Sequence, residues 1–247
     1  MTIISVKEYW RKQANILPKL ATMLDKDFAD ICPDTGPLRG AADMCRTGLG
    51  REHYFYSMTA LKFCIKSEGH IPSHAPETVE IFLSVTAGSN KKIDDHDPFN
   101  RLEFDVVLKA VKGKTFLGAW HLDRHVGEEP TKDIHPLYHF HFGGRHLGEL
   151  GDDVGRMLIT EAPRLPHYPM DAVLGVDYVL SHYAGETWAK LKDDSTYSNF
   201  LKPSQDFLMA SYARSLNTYF GTQPDERING GACYLWPNLP PHEHPDV

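Results

Sequence analysis

Long hydrophobic runs are missing from this sequence. No window approaches the eighteen or so apolar residues that a membrane-crossing helix requires. The short run from Thr2 to Val6 meets Lys7, Glu8 and Arg11 at once, which is not the pattern of a secretory signal. Cysteine is scarce: Cys32, Cys45, Cys64 and Cys233 are the only four, irregularly spaced, with no C-x-x-C pair and no zinc-finger spacing. A disulfide framework is therefore not expected, and the thiols read as free and mostly buried in a reducing compartment. A cytoplasmic protein without a membrane partner is the expectation.

Several catalytic signatures are absent too. There is no G-x-S-x-G elbow, no P-loop, no G-x-G-x-x-G opening a helix, no H-E-x-x-H and no EF-hand loop, so hydrolase-triad and nucleotide-fold readings lose support. Positive charge is in deficit, with 26 Lys and Arg against 33 Asp and Glu and a net charge of −7. The basic doublet Lys91-Lys92 is followed by Asp94, Asp95 and Asp97, so no nucleic-acid partner is expected.

Histidine is what the chain has in quantity. Protonating all 14 would turn the net charge from −7 to +7, so the sign of the charge is a histidine question in mild acid. The remaining composition, 41% hydrophobic and 24% charged over 247 residues, is that of an ordinary globular chain large enough for a substantial core.

The hydrophobic period organises the chain. Ser5 and Glu8 form a capping box before Val6, Tyr9, Trp10, Gln13, Ile16 and Leu17, which predicts a helix that Pro18 should kink or end. Residues 32–50, with Pro33, Asp34, Gly36, Pro37 and Gly40, read as irregular. The period then becomes two. Leu61, Phe63 and Ile65; Val79, Ile81, Leu83 and Val85; Leu102, Phe104, Val106 and Leu108; and Phe116, Gly118, Trp120 and Leu122 alternate with polar neighbours, and Lys112-Gly113-Lys114 marks a tight turn. Residues 138–142 make a fifth candidate strand, followed by a glycine-bearing stretch over 143–155. A helix over about 169–184, apolar nearly all round and so buried, and another over about 204–220 follow. The fold class is α+β: an N-terminal helix, an antiparallel meander of four to five strands, and C-terminal helices packed on one sheet face. The expected divisions are an N-terminal helix with an irregular segment (1–50), the α+β core (51–221) and a Pro- and His-rich tail (222–247).

Strand geometry sharpens the histidine signal. With a period of two, His121, Asp123 and His125 lie opposite Trp120 and Leu122, and His139 and His141 lie opposite Tyr138, Phe140 and Phe142. If the two strands are neighbours, imidazoles and a carboxylate converge on one face. That donor set suits a divalent transition metal (zinc, manganese or iron), or metal-free acid–base chemistry. The candidate metal ligands are His121, Asp123, His125, His139 and His141; the candidate catalytic residues are His139, His141 and His135. A His-x-His pair facing solvent is the plainer alternative.

The order helix, four-strand meander, His135-Pro136, glycine-bearing loop, Pro169-led helix and Asp194-Ser195-Thr196-Tyr197 helix opening resembles the ubiquitin-conjugating (E2) and RWD fold over roughly 100–220. Leu137 stands where that family's His-Pro motif continues with Asn. Gly143, Gly144 and Arg145 stand where its catalytic Cys belongs, so the resemblance implies a scaffold without thioester transfer. Three readings follow: a hydrolase-like enzyme built on the histidine face and acting on a small molecule, a non-catalytic E2/RWD-like module binding a protein, and a histidine-based pH-sensitive binding protein. A homo-oligomer is compatible with each.

Overall fold

The computed structural model describes residues 4–51, 53–66, 78–90, 97–112, 114–124, 136–143, 147–148 and 165–221. It is an α+β fold in which six antiparallel strands follow one another in chain order across a single sheet. These are β1 (His53–Lys66), β2 (Thr78–Asn90), β3 (Arg101–Lys112), β4 (Lys114–Arg124), β5 (Tyr138–Phe142) and the two-residue β6 (Leu165–Pro166). Two helices precede the sheet, α1 (Val6–Asp27) and α2 (Gly36–Gly48). After it come α3 (Ala172–Tyr183), α4 (Gly185–Leu191), α5 (Ser195–Ser204), a wide helical turn (Gln205–Met209) and α6 (Ala210–Gly221). Among the described residues, no helix is long and apolar enough to cross a membrane.

Ser5 caps α1, its hydroxyl accepting from the Glu8 amide at 3.2 Å. Pro18 does not end the helix, which continues past it to Asp27. Proline cannot donate to the carbonyl four residues back, which is that of Ala14; Arg46 on α2 donates to that carbonyl instead, at 3.1 Å. The segment read as irregular contains α2. There Pro37 stands at the start of a helix, where a missing N–H costs nothing, so the Gly-Pro signal marks an entry rather than a turn.

β1 begins eight residues before the alternation first seen at Leu61. Tyr54, Tyr56 and Met58 face the core at even positions, Leu61, Phe63 and Ile65 at odd ones, and a bulge between Met58 and Leu61 changes the phase. Ala60 takes a left-handed backbone (φ 52°) there, and its amide donates to the Ser84 hydroxyl at 2.9 Å.

One sheet face is apolar and carries the helices. Trp10 of α1 stacks on Tyr54 and meets Tyr56 edge-on. α3 lies so close that a Cβ at Gly175 would stand 2.8 Å from the Phe104 ring and 3.1 Å from Leu83. Asp171, rather than Pro169, opens α3. Its Oδ1 accepts from the Leu174 amide, while Oδ2 accepts from the Tyr9 hydroxyl and Gln13 Nε2 at 2.8 Å and the Ser204 hydroxyl at 2.5 Å. The residue is fully buried, and burial pushes its carboxyl above the usual range despite those donors. Asp177, the other acid of α3, accepts from Trp188 Nε1 and the Tyr197 hydroxyl and so joins α4 and α5 to α3. Asp194 caps α5 as the sequence suggests. The last helical stretch differs from the single helix expected over 204–220: it starts at Ser195 and passes through the wide turn after Pro203.

The opposite face carries the polar members of each alternation. Ser57 meets Thr86, Lys62 pairs with Glu80, and Asp105, His121, Asp123, His139 and His141 continue the pattern toward β5.

Candidate metal centre

The two strands that carry the histidines are neighbours. In the β4–β5 register, His121 stands opposite His141 and Asp123 opposite His139, while Leu122 opposite Phe140 and Trp120 opposite Phe142 turn to the other face. Directly opposed residues of an antiparallel pair share a face, so His121, Asp123, His139 and His141 lie on one side of the sheet. The Trp120 and Phe140 rings stack in parallel on the reverse side, 5.2 Å apart, and fix the strand pair from behind.

Within this group, Asp123, His139 and His141 form a set that could hold a metal ion. One ligand atom from each can be chosen so that all lie within 4.8 Å of one another. An ion held tetrahedrally at 2.0–2.1 Å draws its ligands to about 3.4 Å apart, so closing on a metal requires movements of roughly 1 Å. The His139 and His141 rings are nearly parallel at 5.7 Å, as expected for two residues spaced by two on one strand. His139 Nδ1 donates to the Pro136 carbonyl at 3.2 Å, so in the neutral ring the lone pair is on Nε2. A carbonyl on the far nitrogen is how metal-binding imidazoles are commonly oriented.

His121 is held differently. Its Nε2 donates to the Gly143 carbonyl at 2.7 Å, and its Nδ1 is hydrogen-bonded to Asp105 on β3. A carbonyl only accepts, so Nε2 carries a proton, and the Asp105 carboxylate on Nδ1 favours the doubly protonated ring. Burial opposes that charge, but the Asp105 hydrogen bond and charge, the Gly143 carbonyl and the Asp123 charge outweigh it and raise the pKa above the ordinary histidine value. The ring stacks beside that of His141 at 5.1 Å. His121 is thus adjacent to the cluster and engaged by other partners. His125 and His135 lie outside the described residues, as does most of the glycine-bearing stretch.

A second anchor secures the other end of the strand pair. Arg124 Nη2 donates to Asp97 at 2.6 Å, its Nε reaches the same carboxylate, and the Tyr138 hydroxyl also bonds to Asp97. Arg124 and Tyr138 are the register pair next to Asp123 and His139. Burial, then the Asp97 charge, pushes the Tyr138 hydroxyl far above its usual range, so it stays protonated as a donor. The Asp97 and Asp105 contacts were not part of the sequence reading. For Asp105 a signal existed: a hairpin pairing Lys112 with Lys114 sets residues equidistant from that pair opposite one another, and Asp105 and His121 are each seven positions from it.

No protein-family model matches the chain, and neither a curated protein nor a solved structure is detectably similar to it.

Proposed function

We propose that this protein is a metal-dependent, hydrolase-like enzyme in which Asp123, His139 and His141 hold one divalent transition ion: zinc, manganese or iron. The observation that carries the reading is the gathering of one carboxylate and two imidazoles within 4.8 Å on adjacent strands. Two imidazoles and a carboxylate are a familiar three-ligand set for catalytic metals, leaving coordination positions for water and substrate. An ion so held supplies Lewis acidity, which polarises a carbonyl or phosphoryl oxygen and lowers the pKa of water. The chain's part is to present His139 through Nε2, with its ring steered by the Pro136 carbonyl, and to keep β4 and β5 in register through the Arg124–Asp97–Tyr138 anchor.

The acidic net charge supports a small-molecule substrate rather than nucleic acid, and free thiols at Cys32, Cys45 and Cys64 fit a reducing, cytoplasmic setting. Zinc titration of the full chain against a chromogenic chelator tests the proposal. The expected result is one tight site per chain, weakened at least tenfold by Asp123→Ala, His139→Ala or His141→Ala. Zinc uptake by all three variants equal to that of the unsubstituted chain would end it.

One observation favours a second reading. β1–β4 follow one another in antiparallel order after two N-terminal helices, within a six-strand sheet that precedes α3, an order in keeping with the E2/RWD resemblance and with a non-catalytic protein-binding module. That reading expects the zinc titration to show no site and expects His139→Ala and His141→Ala to leave partner capture unchanged.

A further inference from the structure

We infer that His121 is a positioning residue for the metal site: its ring is committed to the strand framework and pins the end of β5 through the Gly143 carbonyl, so that the ion has three protein ligands and an open side. This rests on the reading of Asp123, His139 and His141 as ligands. Asp105, His121 and His141 occupy one register row across β3, β4 and β5. His121 Nδ1 is bonded to Asp105 and its Nε2 to the Gly143 carbonyl, two residues beyond His141. Gly143 is itself the point where β5 ends, with a left-handed backbone (φ 107°) and its amide donating to the Ala119 carbonyl at 2.9 Å. The terminus of the ligand-bearing strand is therefore held from β4 twice, once by backbone and once by the His121 ring. Because that ring also stacks against His141, its position limits how the His141 ring can turn.

A nitrogen that donates to a carbonyl has no lone pair for a metal, and a nitrogen held by a carboxylate is not released without cost. His121 is thus committed to the strand framework. The consequence is an open three-ligand site of the catalytic type, not a closed four-ligand structural one. Outer partners of this kind typically govern metal affinity by about 10–100-fold.

Two replacements of His121 separate its contacts. Gln places a donor where Nε2 was and keeps the Gly143 bond; Asn reaches only the Nδ1 position and loses it. The full chain and both variants are titrated with cobalt(II), reading affinity and the visible d–d bands, after circular dichroism confirms folding. The expected result is that H121Q binds within about threefold of the unsubstituted chain with the same bands, while H121N binds about tenfold or more weakly with shifted bands. Indistinguishable binding by H121N and the unsubstituted chain, or equal losses in H121N and H121Q, would overturn the inference while leaving the metal site intact. Absence of cobalt binding by the unsubstituted chain would remove the site itself, and the inference with it.

Discussion

Arg46 donates a 3.1 Å hydrogen bond to the carbonyl of Ala14, the group that Pro18 cannot serve within its own helix. One guanidinium thus lets α1 continue through a proline and ties it to α2. Arg46→Ala should destabilise the fold by about 1 kcal/mol, the usual net value of such a bond. In a Pro18→Ala background residue 18 regains an amide, and the same substitution should cost only about 0.3 kcal/mol or less. Urea denaturation of the four-member cycle measures the coupling; equal costs in both backgrounds would show that the bond carries no stability.

Asp171 joins α1, α3 and α5 through donors from Tyr9, Gln13 and Ser204, and caps α3 through Leu174. Replacing it by Ala removes the cap and strands several buried donors. The expected loss is about 3–5 kcal/mol, seen as a large fall in Tm or in soluble yield. A change below about 1 kcal/mol would contradict the hub role.

Ala60 sits at φ 52°, a conformation that costs an L-residue roughly 1–2 kcal/mol. Its side chain is exposed, so nothing is lost in packing. Ala60→Gly should therefore raise stability by about 0.5–1 kcal/mol, glycine's extra chain entropy offsetting part of the relief. Denaturant midpoints are the check, and a loss of stability would refute the strain.

Asp25 holds the α1–α2 connection: the Thr35 hydroxyl donates to it at 2.7 Å and Arg39 at 2.6 Å. These two partners, the Thr35 bond first, lower its pKa below the ordinary carboxylate value. A depressed folded-state pKa means the contribution is present above the unfolded value and is lost as pH falls through the folded one. The Tm gap between the unsubstituted chain and Asp25→Asn should thus be steady near neutrality and shrink below about pH 4. A gap that widens in acid would reverse the assignment. The effect is modest, since the Asp25 and Arg39 side chains are both solvent-exposed.

Where alternation was uninterrupted, the fold was legible. β2, β3 and β4 follow from residues such as Ile81, Phe104 and Leu122, and the shared face of Asp123, His139 and His141 follows from the period of two and the β4–β5 pairing. The first half of β1 was hidden because the bulge at Ala60 moves the buried positions from even to odd. α2 was hidden because Gly36, Pro37 and Gly40 have the composition of a turn while Pro37 serves a helix start. The Asp171 hub joins residues 33 to 162 positions apart, a distance over which local pattern carries no information. His121 belonged to the expected ligand set because its face was readable, whereas its engagement by Asp105 and the Gly143 carbonyl required the register of a third strand and the end of β5.

X-ray absorption at the zinc edge of the zinc-loaded full chain tests the metal site most directly, because it counts imidazoles. Our account expects two histidine nitrogens and a carboxylate oxygen at about 2.0–2.2 Å, completed by light-atom scattering from water. A chain that retains no stoichiometric zinc, a sulfur shell, or three imidazoles in the first sphere would contradict it.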